Sequence, residues 1–156
     1  MDHYVDGVLR RMTPAEIAAL TPPLAERQAR LRERVNAIRD LRMRSAFLFA
    51  GHRFDYDSDS RKRITGAAAL AGFAMTIGGK APDDLYWHGG ETPFTWIAAD
   101  NAFVQMDAQT VFAFGQAAGA WESAHIFHAR GLKDAIDLAE DDAALAAIDI
   151  ESGWPE

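Results

Sequence analysis

An α+β fold, with antiparallel hairpins packed against Ala-rich helices, follows from three features of the sequence. Short aromatic strands flank turn residues in "FLFAGHRFDYD" and again in "FTWIAADNAFVQM". A helix-capping residue follows each hairpin, and a long run of alanine and glycine follows each cap. A lone hairpin is marginal in water, so each must lay its apolar face on a helix or on another hairpin. The chain has 156 residues, of which 49% are hydrophobic and 25% charged, enough for one ordinary core.

The first element is a small hairpin in "YVDGVLRRM", turning at Asp6-Gly7, where glycine accepts the positive φ of a tight primed turn. A short helix begins in "TPAEIAAL". Thr13 is placed to cap it, Pro14 suits the first helical position because its missing N–H was unpaired anyway, and Glu16 completes a capping box. Pro22 and Pro23 stop that helix and open the next.

Leu24 to Arg44 reads as one long helix with a narrow apolar stripe of Leu24, Leu31, Val35, Ile38 and Leu41. Seven arginines against three acids give this segment a net charge of +4, whereas residues 132–156 carry Lys133 against eight acids, a net of −7. Such a helix could grip a partner or the chain's own acidic C-terminal segment; a solvated face with Glu26–Arg30 and Asp40–Arg44 as weak i,i+4 pairs also accounts for the charges. The candidate partner-contact residues are Leu24, Leu31, Val35 and Ile38, with Arg27 and Arg34 beside them.

The second hairpin turns at Gly51-His52 and feeds an Ala-rich helix capped by Ser58 or Asp59. The third turns at Asp100-Asn101 and feeds a helix from about Ala108 to Leu138, capped by Asp107. Sliding one unit onto the other by 49 residues places Phe47 on Trp96, Ala50 on Ala99 and Phe54 on Phe103. The two hairpins are therefore expected to share one sheet beneath two low-bulk helices. The uncharged run from Ile64 to Gly79, short for a bilayer and dotted with glycine, reads as a buried helix. The chain thus divides into an attachment segment (1–44), a ββα-ββα body (45–139) and an acidic C-terminal segment (140–156) that Ile148, Ile150 and Trp154 would anchor; an exposed Trp154 would mark a contact surface.

Several short motifs suggest chemistry and lack the context it needs. "WHGG" resembles an oxyanion-hole strand of some esterases, but no G-x-S-x-G accompanies it. Glu122, His125 and His128 give a single Glu-x-x-His where dimetal bundles use two. "DYDSDS" starts like a calcium loop but places Ser60 where glycine is needed. No catalytic residue, metal site or cofactor is assigned. Tyr86, Trp87, His88 and Trp96 form an aromatic group that could stack on sugar rings, with Trp121 as an outlying member.

Composition narrows the partners further. With 16 basic and 23 acidic residues the formal charge is −7, which disfavours general binding to nucleic acid or anionic lipid. The absence of cysteine removes disulfides, thiol catalysis and thiolate metal sites. No signal peptide is evident in the first twenty residues, so synthesis in the cytosol is expected, without membrane insertion.

The runs "RSAFLFAGHRFDYDSDSRKRITGAAALA", "WHGG", "FTWIAADNAFVQMDAQTVFAFGQAA" and "SGWP" resemble a domain of unknown function encoded with tail-fibre and tail-assembly genes of tailed bacteriophages and prophages. The likeness spans roughly Arg39 to Gly131, and the opening "YVDGVLRRMTPAEIA" is similar to short leaders of tail-fibre accessory proteins. The resemblance implies a non-enzymatic structural role in the virion tail, at the fibre or baseplate, as a homo-oligomer or in several copies beside other tail proteins. A host-surface carbohydrate-binding module and an intracellular fibre-assembly chaperone are the alternatives.

Overall fold

The computed structural model describes the backbone of residues 2–5 and 8–155, with side chains from residue 11 onward except 17–19. Among the described residues eleven elements follow one another: β1 Asp2–Val5, β2 Val8–Arg11, α1 Pro14–Leu20, α2 Leu24–Met43, β3 Phe47–Phe49, β4 His52–Phe54, α3 Ser58–Thr76, β5 Thr95–Ile97, β6 Phe103–Gln105, α4 Ala108–Leu138 and α5 Asp142–Ala146. The class is α+β, as expected. The Asp6-Gly7 turn lies outside the described residues, but the strands on either side pair antiparallel with Val5 opposite Val8.

The helix starts follow from side-chain oxygens that satisfy otherwise orphaned amides. The Thr13 hydroxyl accepts the Glu16 N–H at 3.3 Å while the Glu16 carboxylate accepts the Thr13 N–H at 2.8 Å, a reciprocal capping box. Asp107 caps α4 by accepting the Thr110 N–H at 2.8 Å. The cap of α3 is Asp57, not Ser58 or Asp59 as expected; its carboxylate accepts the Asp59 and Ser60 N–H groups at 2.9 and 2.8 Å. The acids of "DYDSDS" therefore begin a helix.

The hairpins differ from expectation in register and in company. The second turns at Ala50-Gly51, not Gly51-His52, with φ of 49° and 80°, and Phe49 pairs with His52. Both central residues are left-handed, the geometry that matches strand twist, and alanine tolerates it here. In the third hairpin the Ala98 carbonyl accepts the Asn101 N–H, and Asn101 is left-handed at φ 65°. That loop pairs Trp96 with Val104, where the second hairpin pairs Phe47 with Phe54. One added residue reverses the face of everything after it, so Phe54 is fully buried while Phe103, its counterpart in the 49-residue slide, is 77% exposed. The two hairpins also do not share a sheet: each is two-stranded, and they meet where the Ala99 N–H donates to the Arg53 carbonyl at 2.8 Å.

Two cores share α4. The first gathers Phe47, Phe54, Tyr56, Ile64, Trp87, Met106, Val111 and Phe114 around the N-terminal half of that helix. The second gathers Val35, Ala129, Ile136, Ala139, Leu145, Ile150 and Trp154 around its C-terminal half. Small residues let α3 and α4 approach closely, as anticipated: a Cβ at Gly115 would collide with the Ala68 side chain. Burying the aromatic side chains of the first core contributes about 1.5–3 kcal/mol each.

Candidate functional site

The α2 stripe, for which the sequence left open a partner or the chain's own acidic segment, is covered within the chain except at Leu41, which is 73% exposed. Val35 is fully buried, and Leu24, Leu31 and Ile38 pack against the same core as α5, Ile148, Ile150 and Trp154. A narrow apolar stripe specifies that something lies on it; here the occupant is the chain's own return segment. The boundaries expected at 44 and 139 accordingly do not divide the packing, because α2, the second half of α4 and the acidic segment form one unit.

Charge follows the same path. Arg27 pairs with Asp142, Arg32 donates to both carboxylate oxygens of Asp137 at 2.6 Å, and Arg34 reaches Glu151 at 3.4 Å. Gln28 donates to the carbonyls of Ile136 and Ala139, both at 3.0 Å, at the end of α4, where the Ile136 carbonyl also accepts the Ala139 N–H. The hydrogen bond from Arg27 is the main reason the Asp142 carboxyl titrates below its ordinary value. Arg27 and Arg34 are thus committed inside the chain, where exposed pairs contribute roughly 0–1 kcal/mol each. Glu26–Arg30 forms as anticipated, whereas Asp40 takes Arg39 at 2.7 Å.

Trp154 closes this unit. It is 6% exposed, so it is no contact surface, and its indole N–H donates to the Ile150 carbonyl at 2.9 Å. His128 meets its ring edge-on at 4.6 Å between centroids, His125 lies nearly parallel at 6.0 Å, and the Arg42 guanidinium sits 5.8 Å from the ring centre. His125 is fully buried with Nδ1 2.9 Å from the Trp121 carbonyl. Burial above all holds its pKa below the ordinary value, with Arg42 and His128 pushing the same way.

The Glu-x-x-His pair is divided between two tasks. Glu122 accepts from the Tyr56 hydroxyl at 2.8 Å and from Arg61 at 2.7 Å. Desolvation first, and this hydrogen bond second, raise the Tyr56 pKa. Among the described residues no three histidine, aspartate or glutamate side chains group as metal ligands.

The aromatic group proposed for ligands is largely turned inward. Trp87 is 5% exposed, donates its indole N–H to the Met106 carbonyl at 3.1 Å and packs on Phe94. Trp96 meets Phe114 edge-on at 5.2 Å. Trp87 therefore offers no face on which a sugar ring could stack, and Trp96 is partly buried against the first core. His88 is exposed but packs edge-on against Phe94, and the Gly89 N–H donates to the Tyr86 carbonyl at 3.0 Å, which removes it from any oxyanion hole. Tyr86, 49% exposed, is the one ring of the four aromatic-group residues left open apart from His88.

Exposed apolar surface lies elsewhere. On α3 and its C-cap, Leu70 is 64% exposed, Phe73 61% and Ile77 81%; the expectation that the uncharged run is buried holds for only one face of it. Ile97 and Phe103, cross-strand partners on one face of the third hairpin, are open, as are Phe127 and Leu138 on one face of α4. Signals for the α3 face were present in the sequence as apolar residues three and four apart, but periodicity alone does not say which of two apolar faces meets the core.

Among the described residues no helix is long and apolar enough to cross a membrane. Comparison with curated proteins and with solved structures gives no match. A family profile, that of a domain of unknown function (DUF4376), matches residues 26–152. The match runs from the first turn of α2 to the residue before Gly153 and so takes in the first core, the two aromatic hairpins and all of the second core except Leu24 and Trp154: the chain belongs to the DUF4376 family.

Proposed function

We propose that this protein is a non-enzymatic structural component of a bacteriophage or prophage tail, linking fibre or receptor-binding parts to the tail. The supporting observation is the distribution of large exposed apolar side chains over separate faces: Leu70 and Phe73 on α3 with Ile77 at its C-cap, Ile97 and Phe103 on the third hairpin, Phe127 and Leu138 on α4. A connector needs at least two surfaces of this kind, and such patches mark protein contacts. The polar groups that suggested chemistry are meanwhile taken up in packing: Glu122 by Tyr56 and Arg61, His125 in the second core. With α2 covered, attachment falls to these outer faces and to the β1–β2 hairpin, which lies outside the family match.

Mass spectrometry of purified particles from the phage or induced prophage that carries the gene tests this. The chain is expected in the particle at a fixed ratio to the tail tube protein. Its presence in infected cells but absence from particles would overturn the structural role in favour of an assembly chaperone.

A further inference from the structure

We propose that the outer face of α3 is a seam on which a second copy of this chain docks, antiparallel and about a two-fold axis. Gly66, Leu70, Phe73 and Ile77 follow one another at intervals of four, three and four residues, the spacing of a helix-pairing stripe. The stripe faces away from Ile64 and Ala71, which enter the core. Leu70, Phe73 and Ile77 are each more than half exposed.

The occupant is identified by self-complementarity. Leu70 and Phe73 have the same midpoint as Gly66 and Ile77. When two such helices pair antiparallel about that midpoint, Leu70 of one lies beside Phe73 of the other, and Ile77 of one faces Gly66 of the other. Ile77 is the most exposed large side chain on the stripe, at 81%. Gly66 is its hole: a Cβ built there meets nothing within 4 Å, so neighbouring side chains do not fill the space. One seam therefore supplies both knob and socket, as an isologous contact requires.

Charge does not bar the same partner. The protein is net −7, so two copies repel on average, yet no charged residue lies between Ile64 and Gly79. Beside Leu70, Phe73 and Ile77 lie Ala69, Ala74 and Thr76, small enough for the helices to approach closely, while the long side chains of Lys62 and Arg63 flank Gly66. Lys80 beyond the helix end is paired with Asp84 at 3.0 Å. A seam of three large side chains per copy is small beside the roughly 1,600 Å² of a standard specific interface, so the dimer should be concentration-dependent.

Sedimentation equilibrium on the purified full chain tests the proposal without reference to tails or particles, so its failure is distinguishable from failure of the tail assignment. The wild type is expected to move from monomer to dimer as concentration rises. Phe73→Glu should weaken association at least tenfold, and so should Gly66→Leu, which fills the socket at a position where the monomer has room. Ile77→Ala should weaken it too, and combining Gly66→Leu with Ile77→Ala should restore much of the loss by exchanging knob and socket. Circular dichroism melts are expected to show Gly66→Leu no less stable than the parent. A chain that stays monomeric at every concentration would overturn the proposal and leave the face to a different partner. A dimer indifferent to Phe73→Glu, or one that Gly66→Leu leaves unchanged, would overturn it as well.

Discussion

The two halves of α4 sit in cores of different kinds. Around its first half, Phe114 meets Phe47 nearly parallel at 5.3 Å and Phe54 edge-on at 4.7 Å, with Phe49 and Trp96 both at 5.2 Å. Strands too short to persist alone are held there by one ring. Around its second half the side chains are smaller, and α2 is joined to the return segment by ion pairs, by Gln28 and by Trp154. The first core is closed by residues within one continuous stretch, 47–118; the second joins residues more than a hundred positions apart. Close packing thus does most of the holding in one half, and closure of a long loop is a principal cost in the other.

The largest effect should come from breaking the aromatic hub. Phe114→Ala is expected to cost about 3–5 kcal/mol in denaturant unfolding, since a fully buried ring leaves a cavity among four aromatic neighbours. Trp154→Ala should come next, at the lower end of that range, because the return segment can relax; hydrogen exchange should rise in α2 and the end of α4 while the hairpins stay protected. Equal deprotection of both halves would show that the cores do not open separately.

A smaller contrast concerns pH. The folded pKa of His125 lies below the unfolded value, so folding favours the neutral ring. Its contribution is fully present above an unfolded pKa of about 6.5 and is lost as pH falls below that. The Asp142 carboxyl, also lowered, acts in a more acidic window, its contribution lost as pH falls below about 3.9. His125→Leu should flatten the first window and spare the second, as read by melting temperature against pH. The smallest effects are local: Asp107→Ala should cost about 1 kcal/mol through loss of the α4 cap. Arg32→Ala should cost no more than about 1 kcal/mol, because the Asp137 pair is half exposed.

What could be read in advance was local chemistry. Asp107, the alanine run and the end at Leu138 give α4 its bounds, and Thr13 with Glu16 gives the start of α1. Register was not legible in the same way. Ala50 holds φ 49° although alanine carries no signal for it, and a single added loop residue sends Val104 inward and Phe103 outward. The cover of α2 was readable as a need with two candidate occupants: opposite charge pointed to the acidic C-terminal segment as well as to another protein, but the spacing of Leu31 and Val35 cannot distinguish another protein from Leu145, Ile150 and Trp154. The aromatic loop misled for a related reason, since Trp87 has the same letter whether it greets a sugar or, as here, donates to Met106.

Joining α2 to residues as distant as Trp154 also has a bearing on synthesis. As the polypeptide leaves the ribosome, β3 through the middle of α4 can condense once residue 118 or so has emerged. Leu31, Val35 and Ile38 must wait for some thirty residues more. During that interval a greasy, arginine-rich rod is bare beside an already finished neighbour, the stage at which nascent chains are most open to capture by chaperones or by one another.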